Sequence, residues 1–237
     1  MSTYTFIACR ASGTIEVHAL DAERGTLRRL TVVDGVDGVS TLAFDHDRAI
    51  LYAGRGGEQP LLGVFTVVAG GRLEHRGDFE LPHSAAFISF DGDGLLIASY
   101  HDSAVTRLPL DDDGLPTSSR PVFDDTTAGK NIHCIVPTCD GRRVYATALG
   151  SDTIVAYRRG EEGEAALVRL EDTVVEPAGE GPRHLVVSPD GARVGVVTEM
   201  GGHVYAYDRD AESGALSFTG GAPIAERADL LVRGVAR

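Results

Sequence analysis

Three side chains that can do acid–base or anion-binding chemistry fall at strand ends in the second half of the chain: His133, Arg183 and Glu199. An imidazole such as His133 can take a proton near neutral pH. The planar guanidinium of Arg183 can hold an anion or stabilise an oxyanion as charge develops. Glu199 can act as the base itself, or orient His133 or Arg183. His184, beside Arg183, and Lys130, in a Gly-Lys-Asn loop just before His133, are further anion-binding candidates. Tyr100 and His101 follow an apolar run and could reach the same rim. Each residue also has a plainer reading. A histidine at a strand start is commonly a satisfied structural group, Arg183 and Glu199 can be an ion pair that ties two strands together, and Lys130 can be a solvated loop residue.

Other chemistries lack their residues. His18, His46, His75, His83 and His203 are scattered, and none pairs at metal-ligand spacing. The run Asp111-Asp112-Asp113-Gly114 opens like a calcium loop, but no downstream glutamate completes it, so a solvated turn is expected. The chain contains no Gly-x-Ser-x-Gly elbow and no Walker-type phosphate loop. Neither a metal nor a cofactor is expected.

The elements that must position these residues are strands. The stretch GPRHLVVSPDGARVGVVTEMGGHVYAYD, residues 181–208, reads as three short strands joined by a Ser-Pro-Asp-Gly turn and a Gly-Gly turn. An apolar strand, an Asp-Gly-like turn and a second apolar strand recur in VSTLAFDHDRAILYAG, SAAFISFDGDGLLIASY, NIHCIVPTCDGRRVYATAL and RHLVVSPDGARVGVVTE. Their turn residues Asp45, Asp91, Asp140 and Asp190 lie 46, 49 and 50 residues apart. A third strand and a more polar fourth follow each copy. Four short strands at this period are the mark of a β-propeller blade. A β-sandwich would not repeat in register at this spacing.

Residues 4–33 read as the second, third and fourth strands of a further blade, and ADLLVRGVA near the C-terminus as a lone first strand. Residues 1–237 are therefore expected to form a single all-β propeller domain of four complete blades and one composite blade, either a five-bladed ring or a truncated seven-bladed propeller. In a propeller, the same strand position of successive blades lines the central axis. His133 and Arg183, one repeat apart, are thus expected to converge at one mouth of the channel. Because neighbouring strand residues point to opposite faces, only one of Arg183 and His184 is expected to face the site, with Arg183 favoured.

Composition narrows the partners. A net charge of −13 argues against a nucleic-acid backbone, and makes Lys130, the one lysine, and local arginines matter for any anionic ligand. No apolar run approaches membrane-spanning length, and the N-terminus does not read as a signal peptide. Cys9, Cys134 and Cys139 form no metal-binding or disulfide pattern. A cytoplasmic monomer is expected, without membrane or nucleic-acid partners.

The blade motifs resemble those of the propeller-type 6-phosphogluconolactonase and lactonase family, which is related to carboxymuconate cyclase. The resemblance runs from Tyr4 to about Phe218 and is most specific in GPRHLVVSPDGARVGVVTEMGGHVYAYD, with support from NIHCIVPTCDGRRVYATALGSDTIVAY and from ILYAG, IASY and DGLP in that order. It implies that His133, Arg183 and Glu199 are site residues, with Thr-Glu standing where the family has Asn-Glu. It also implies hydrolysis of a sugar lactone, 6-phospho-D-glucono-1,5-lactone to 6-phosphogluconate, in the pentose phosphate pathway. Departures are Phe87, where many members carry a histidine, and a later arginine that has no counterpart; relative to seven blades about two are absent. A muconate-type lactonising cyclase, or a non-catalytic propeller that binds a ligand or protein, are the alternative readings.

Overall fold

In the computed structural model the described residues are 3–224, and nearly all regular structure is antiparallel strand. Strands β1 (Thr3–Cys9), β2 (Thr14–Asp21) and β3 (Thr26–Val33) form a three-stranded sheet. Next come β4 (Val39–Asp45), β5 (Ile50–Arg55), β6 (Leu61–Val67) and β7 (Leu73–Glu80), then β8 (Phe87–Phe90), β9 (Gly94–Ser99), β10 (Ala104–Pro109) and β11 (Phe123–Asp125), each group a four-stranded sheet in chain order. The fourth sheet holds β12 (Ile132–Pro137), β13 (Arg143–Ala148) and β14 (Thr153–Arg159), with both β15 (Leu167–Arg169) and β16 (Thr173–Val174) pairing with β14. The fifth is β17 (Pro182–Val187), β18 (Arg193–Thr198), β19 (His203–Arg209) and β20 (Leu216–Pro223). These are the expected four complete propeller blades and the three strands at 4–33. The segment ADLLVRGVA lies outside the described residues. The described residues fall into two compact units, 3–95 with 108–121 and 96–107 with 122–224.

The repeat is visible in hydrogen bonds. At two successive hairpins the turn aspartate caps a backbone amide two residues on: Asp140 Oδ1 accepts from Arg142 N (2.9 Å) and Asp190 Oδ1 from Ala192 N (3.0 Å). Gly141 and Gly191 follow at φ 67° and 70°, values a side chain would resist. The middle strands supply the core. All of β9 is buried, while β18 and β19 alternate between covered and open positions. Asp111–Gly114 forms the expected turn, with Leu115 N donating to Asp111 Oδ1 (2.8 Å). Its last carbonyl, on Gly114, accepts from the Tyr52 hydroxyl (2.7 Å), and Tyr145 makes the same bond two repeats on by donating to Gly214 O (2.6 Å).

Arg209 ties two hairpins of the second unit together. Its side chain is 2% exposed and donates to Asp140 Oδ2 (2.8 Å) and to Gly191 O (2.9 Å). Burial pushes the Asp140 carboxyl up, but hydrogen bonds from Thr138, the Arg142 amide and Arg209 outweigh it and hold the group well below the ordinary aspartate value. Asp140 therefore adds stability that is present above about pH 4 and fades as acid protonates it. Asp140→Asn should flatten the dependence of unfolding free energy on pH below pH 4. Asp140→Ala, which strands the guanidinium, should cost about 2 kcal/mol at pH 7 by denaturant titration, less than a fully buried pair because the Asp140 side chain is 36% exposed.

Candidate functional site

His133, Arg183, His184, Glu199 and Tyr100 meet within the second unit, and β-bulges place the first three. The register of β12 against β13 slips between Ile132 and Cys134, leaving His133 as the extra residue. That of β17 against β18 slips between Pro182 and His184, leaving Arg183 as the extra residue. A bulge re-aims side chains that strict alternation would separate. This corrects the expectation that Arg183 and His184 face opposite ways. Arg183 Nη1 donates toward His184 Nε2 at 3.4 Å, and the His184 ring lies edge-on to that of His133 with centroids 5.1 Å apart.

One buried hydroxyl serves both bulges. Thr147 Oγ1, on β13, accepts from Cys134 N (3.1 Å) and donates to Arg183 O (2.7 Å), and Thr147 is fully buried. It thereby satisfies an amide freed by one bulge and a carbonyl freed by the other. Thr147 was not singled out from sequence; its place in the repeat, four residues after Arg143 in an apolar strand, reads as ordinary strand filler.

Arg183 Nε donates to Glu199 Oε2 at 2.8 Å, and the two side chains are 41% and 40% exposed. The pair is open to solvent, so its contribution to stability is small. Tyr100 closes the other side of His133, ring centroids 5.6 Å apart, and His101 leans on Tyr100 at 5.3 Å. The Tyr100 carbonyl accepts from Asn131 Nδ2 (3.3 Å), which fixes the approach to β12. Lys130 is exposed; its amide donates to Ser151 Oγ (2.8 Å), and its side chain joins none of these contacts among the described residues. His101 touches the cluster only through Tyr100.

Electrostatics set the protonation states. Burial, then the charge on Arg183, then His184 lower the pKa of His133 to about 4. Burial and Arg183 also lower that of His184. Both rings are therefore neutral at pH 7, and His133 Nδ1 is buried with no hydrogen-bond partner among the described residues. The result is one accessible cation beside two neutral imidazoles and a carboxylate: a place to hold an anion, a ring nitrogen to accept a proton, and a donor for an oxyanion. Among the described residues no group of three His, Cys, Asp or Glu side chains gathers as a metal site, and no helix is long and apolar enough to cross a membrane.

Comparison with known proteins gives this arrangement a family. The chain is 32% identical over 220 residues to the 6-phosphogluconolactonase of Pectobacterium carotovorum, covering 91% of this chain and 64% of that protein. It is 32% identical over 218 residues to the 6-phosphogluconolactonase of Pectobacterium atrosepticum, covering 90% and 63%. The chain thus spans a little under two thirds of the length of these curated relatives. Among solved structures, the periplasmic gluconolactonase of Pseudomonas aeruginosa superposes with a TM-score of 0.80 at 22% identity, over 95% of this chain and 69% of that one. A protein from Lactobacillus plantarum also gives 0.80 at 22%, over 94% and 67%. At that identity the structural likeness speaks for the propeller fold. The family model described as lactonase, 7-bladed beta-propeller, matches residues 1–227, and the chain belongs to that family.

Proposed function

We propose that the protein hydrolyses a sugar lactone, with 6-phospho-D-glucono-1,5-lactone as substrate and 6-phosphogluconate as product. The observation that carries this reading is the half-exposed Arg183 guanidinium set against the neutral rings of His184 and His133. A lactone carbonyl placed at Arg183 develops negative charge as water adds, and the guanidinium stabilises it. His133 accepts the proton of the attacking water on Nε2, since Nδ1 is buried, and returns it to the ring oxygen that leaves. Glu199 holds Arg183 through Nε, and so leaves the far edge of the fork for substrate. Lys130, His184, Tyr100 and His101 line the rim and contact the sugar or its phosphate. The three cysteines, all free among the described residues, support a cytoplasmic setting, and we take the protein to be a monomer.

A free-enzyme pKa of about 4 makes His133 a weak base on its own. Arg183 is the second cause of that depression, after burial. The oxyanion that develops against Arg183 as water adds cancels part of its field, so His133 becomes a stronger base as the reaction proceeds. The developing charge thereby strengthens the base. A ligand-binding propeller without catalysis is the second reading, favoured by the engagement of Arg183 with both Glu199 and His184.

Lactone-hydrolysis kinetics separate the two. Arg183→Ala and His133→Ala should each lower kcat/KM by on the order of 100-fold, the usual cost of losing an oxyanion donor or a general base. An inactive wild type that still binds the sugar phosphate would establish the binder instead. The acid limb of kcat/KM should fall near pH 4, the value of free His133. The same depression makes a stability prediction. The unfolded chain takes up protons on His133 and His184 before the folded one does, so unfolding free energy should rise with pH between about 4 and 6.5. His133→Phe should reduce that slope.

A further inference from the structure

Three residues before Arg183 lies a buried carboxylate. Glu180 is 5% exposed, and its Oε2 accepts from Thr198 Oγ1 (2.9 Å) and from His203 Nδ1 (3.0 Å). Since a carboxylate only accepts here, His203 Nδ1 is the donor. The His203 ring is held from behind by Tyr205, stacked at 5.6 Å and 19°. The backbone is zipped at the same place. Glu180 O accepts from Met200 N and from Gly201 N (3.1 Å each), and Gly181 O accepts from Glu199 N (2.8 Å).

The turn is shaped around this carboxylate. Gly201 is not among the residues at positive φ, so its backbone does not call for glycine. A Cβ added there would run into the Glu180 carboxylate, well inside van der Waals contact. Glycine at 201 makes room for Glu180. The residues so joined flank the working pair: Glu180 is three residues before Arg183, and Thr198 adjoins Glu199. A buried acceptor with one donor from the end of β18 and another from the start of β19 fixes the loop before β17 against the turn that carries Glu199.

We propose that Glu180, with Thr198 and His203 as its donors, is a positioning residue that sets Glu199 against Arg183, a role that rests on reading that pair as part of the substrate site. Glu180 touches no substrate; it acts through the turn that presents Glu199. Three features support it as more than strand filler: its burial, its two side-chain donors, and the glycine that accommodates it.

The test uses two independent readouts. The first is the NMR signal of Arg183 Nε–H, assigned with Arg183→Lys, whose shift and exchange protection report the bond to Glu199 without any need for turnover. The second is the split of kcat and KM in lactone hydrolysis. In Glu180→Ala, Arg183 Nε–H should lose protection and kcat should fall on the order of tenfold with less change in KM, while Glu180→Gln, which keeps an acceptor oxygen, restores most of both. Should Glu180→Ala fail to fold, the near-isosteric Thr198→Val removes one donor and should shift both readouts in the same direction. A folded Glu180→Ala or Thr198→Val variant with an unchanged Arg183 signal and unchanged kinetic constants would overturn the proposal. A wild type that is inactive on the lactone, but whose Arg183 signal still responds to Glu180→Ala, would overturn the hydrolase reading and leave the positioning role standing.

Discussion

The hydroxyl of Thr147 is the point on which the site depends. It is fully buried, accepts from the Cys134 amide and donates to the Arg183 carbonyl. Each bulge frees backbone polar groups that would otherwise be buried without partners, at a cost of about 1–3 kcal/mol for each such group. One side chain answers for both bulges, and so the two departures from regular pairing support each other. Without the bulges, His133 and Arg183 would follow the pleat, and Arg183 and His184 would part to opposite faces. With them, an imidazole from one blade and a guanidinium and imidazole from the next form a single cluster.

That cluster works through opposed electrostatic demands. Burial and a neighbouring cation both favour the neutral form of His133, so the ring is unprotonated at pH 7 yet weakly basic. The same cation is a local positive charge on a protein of net charge −13. Glu199 serves this arrangement by holding Arg183 in place while leaving both side chains open to solvent. Glu180, in the proposal above, fixes the turn that makes this possible.

Much of this was legible in the sequence, for physical reasons that also mark where reading stops. The blade repeat shows because its causes are local: period-two apolar strands, and aspartate–glycine turns at Asp140 and Asp190 whose caps reach only two residues along the chain. The approach of His133 to Arg183 follows from the repeat alone, one blade apart at the same strand position. The bulges do not show, because an extra residue is defined only by what lies across the strand pair; strict alternation therefore set Arg183 against His184, which the structure brings together. Thr147 is silent for the same reason, since its partners lie 13 and 36 residues away. Glu180 and His203, 23 residues apart, meet only when two loops close on each other. Lys130 is exposed in its loop, as its Gly-Lys-Asn setting suggests.

The most direct test of the account is the ionisation of His133 itself, followed by NMR of its ring carbons across pH in the free protein and with 6-phosphogluconate bound. The account predicts a pKa of about 4 in the free protein and an upward move when the ligand pairs with Arg183. A free-protein value at the ordinary 6.5, unmoved by the ligand, would contradict it.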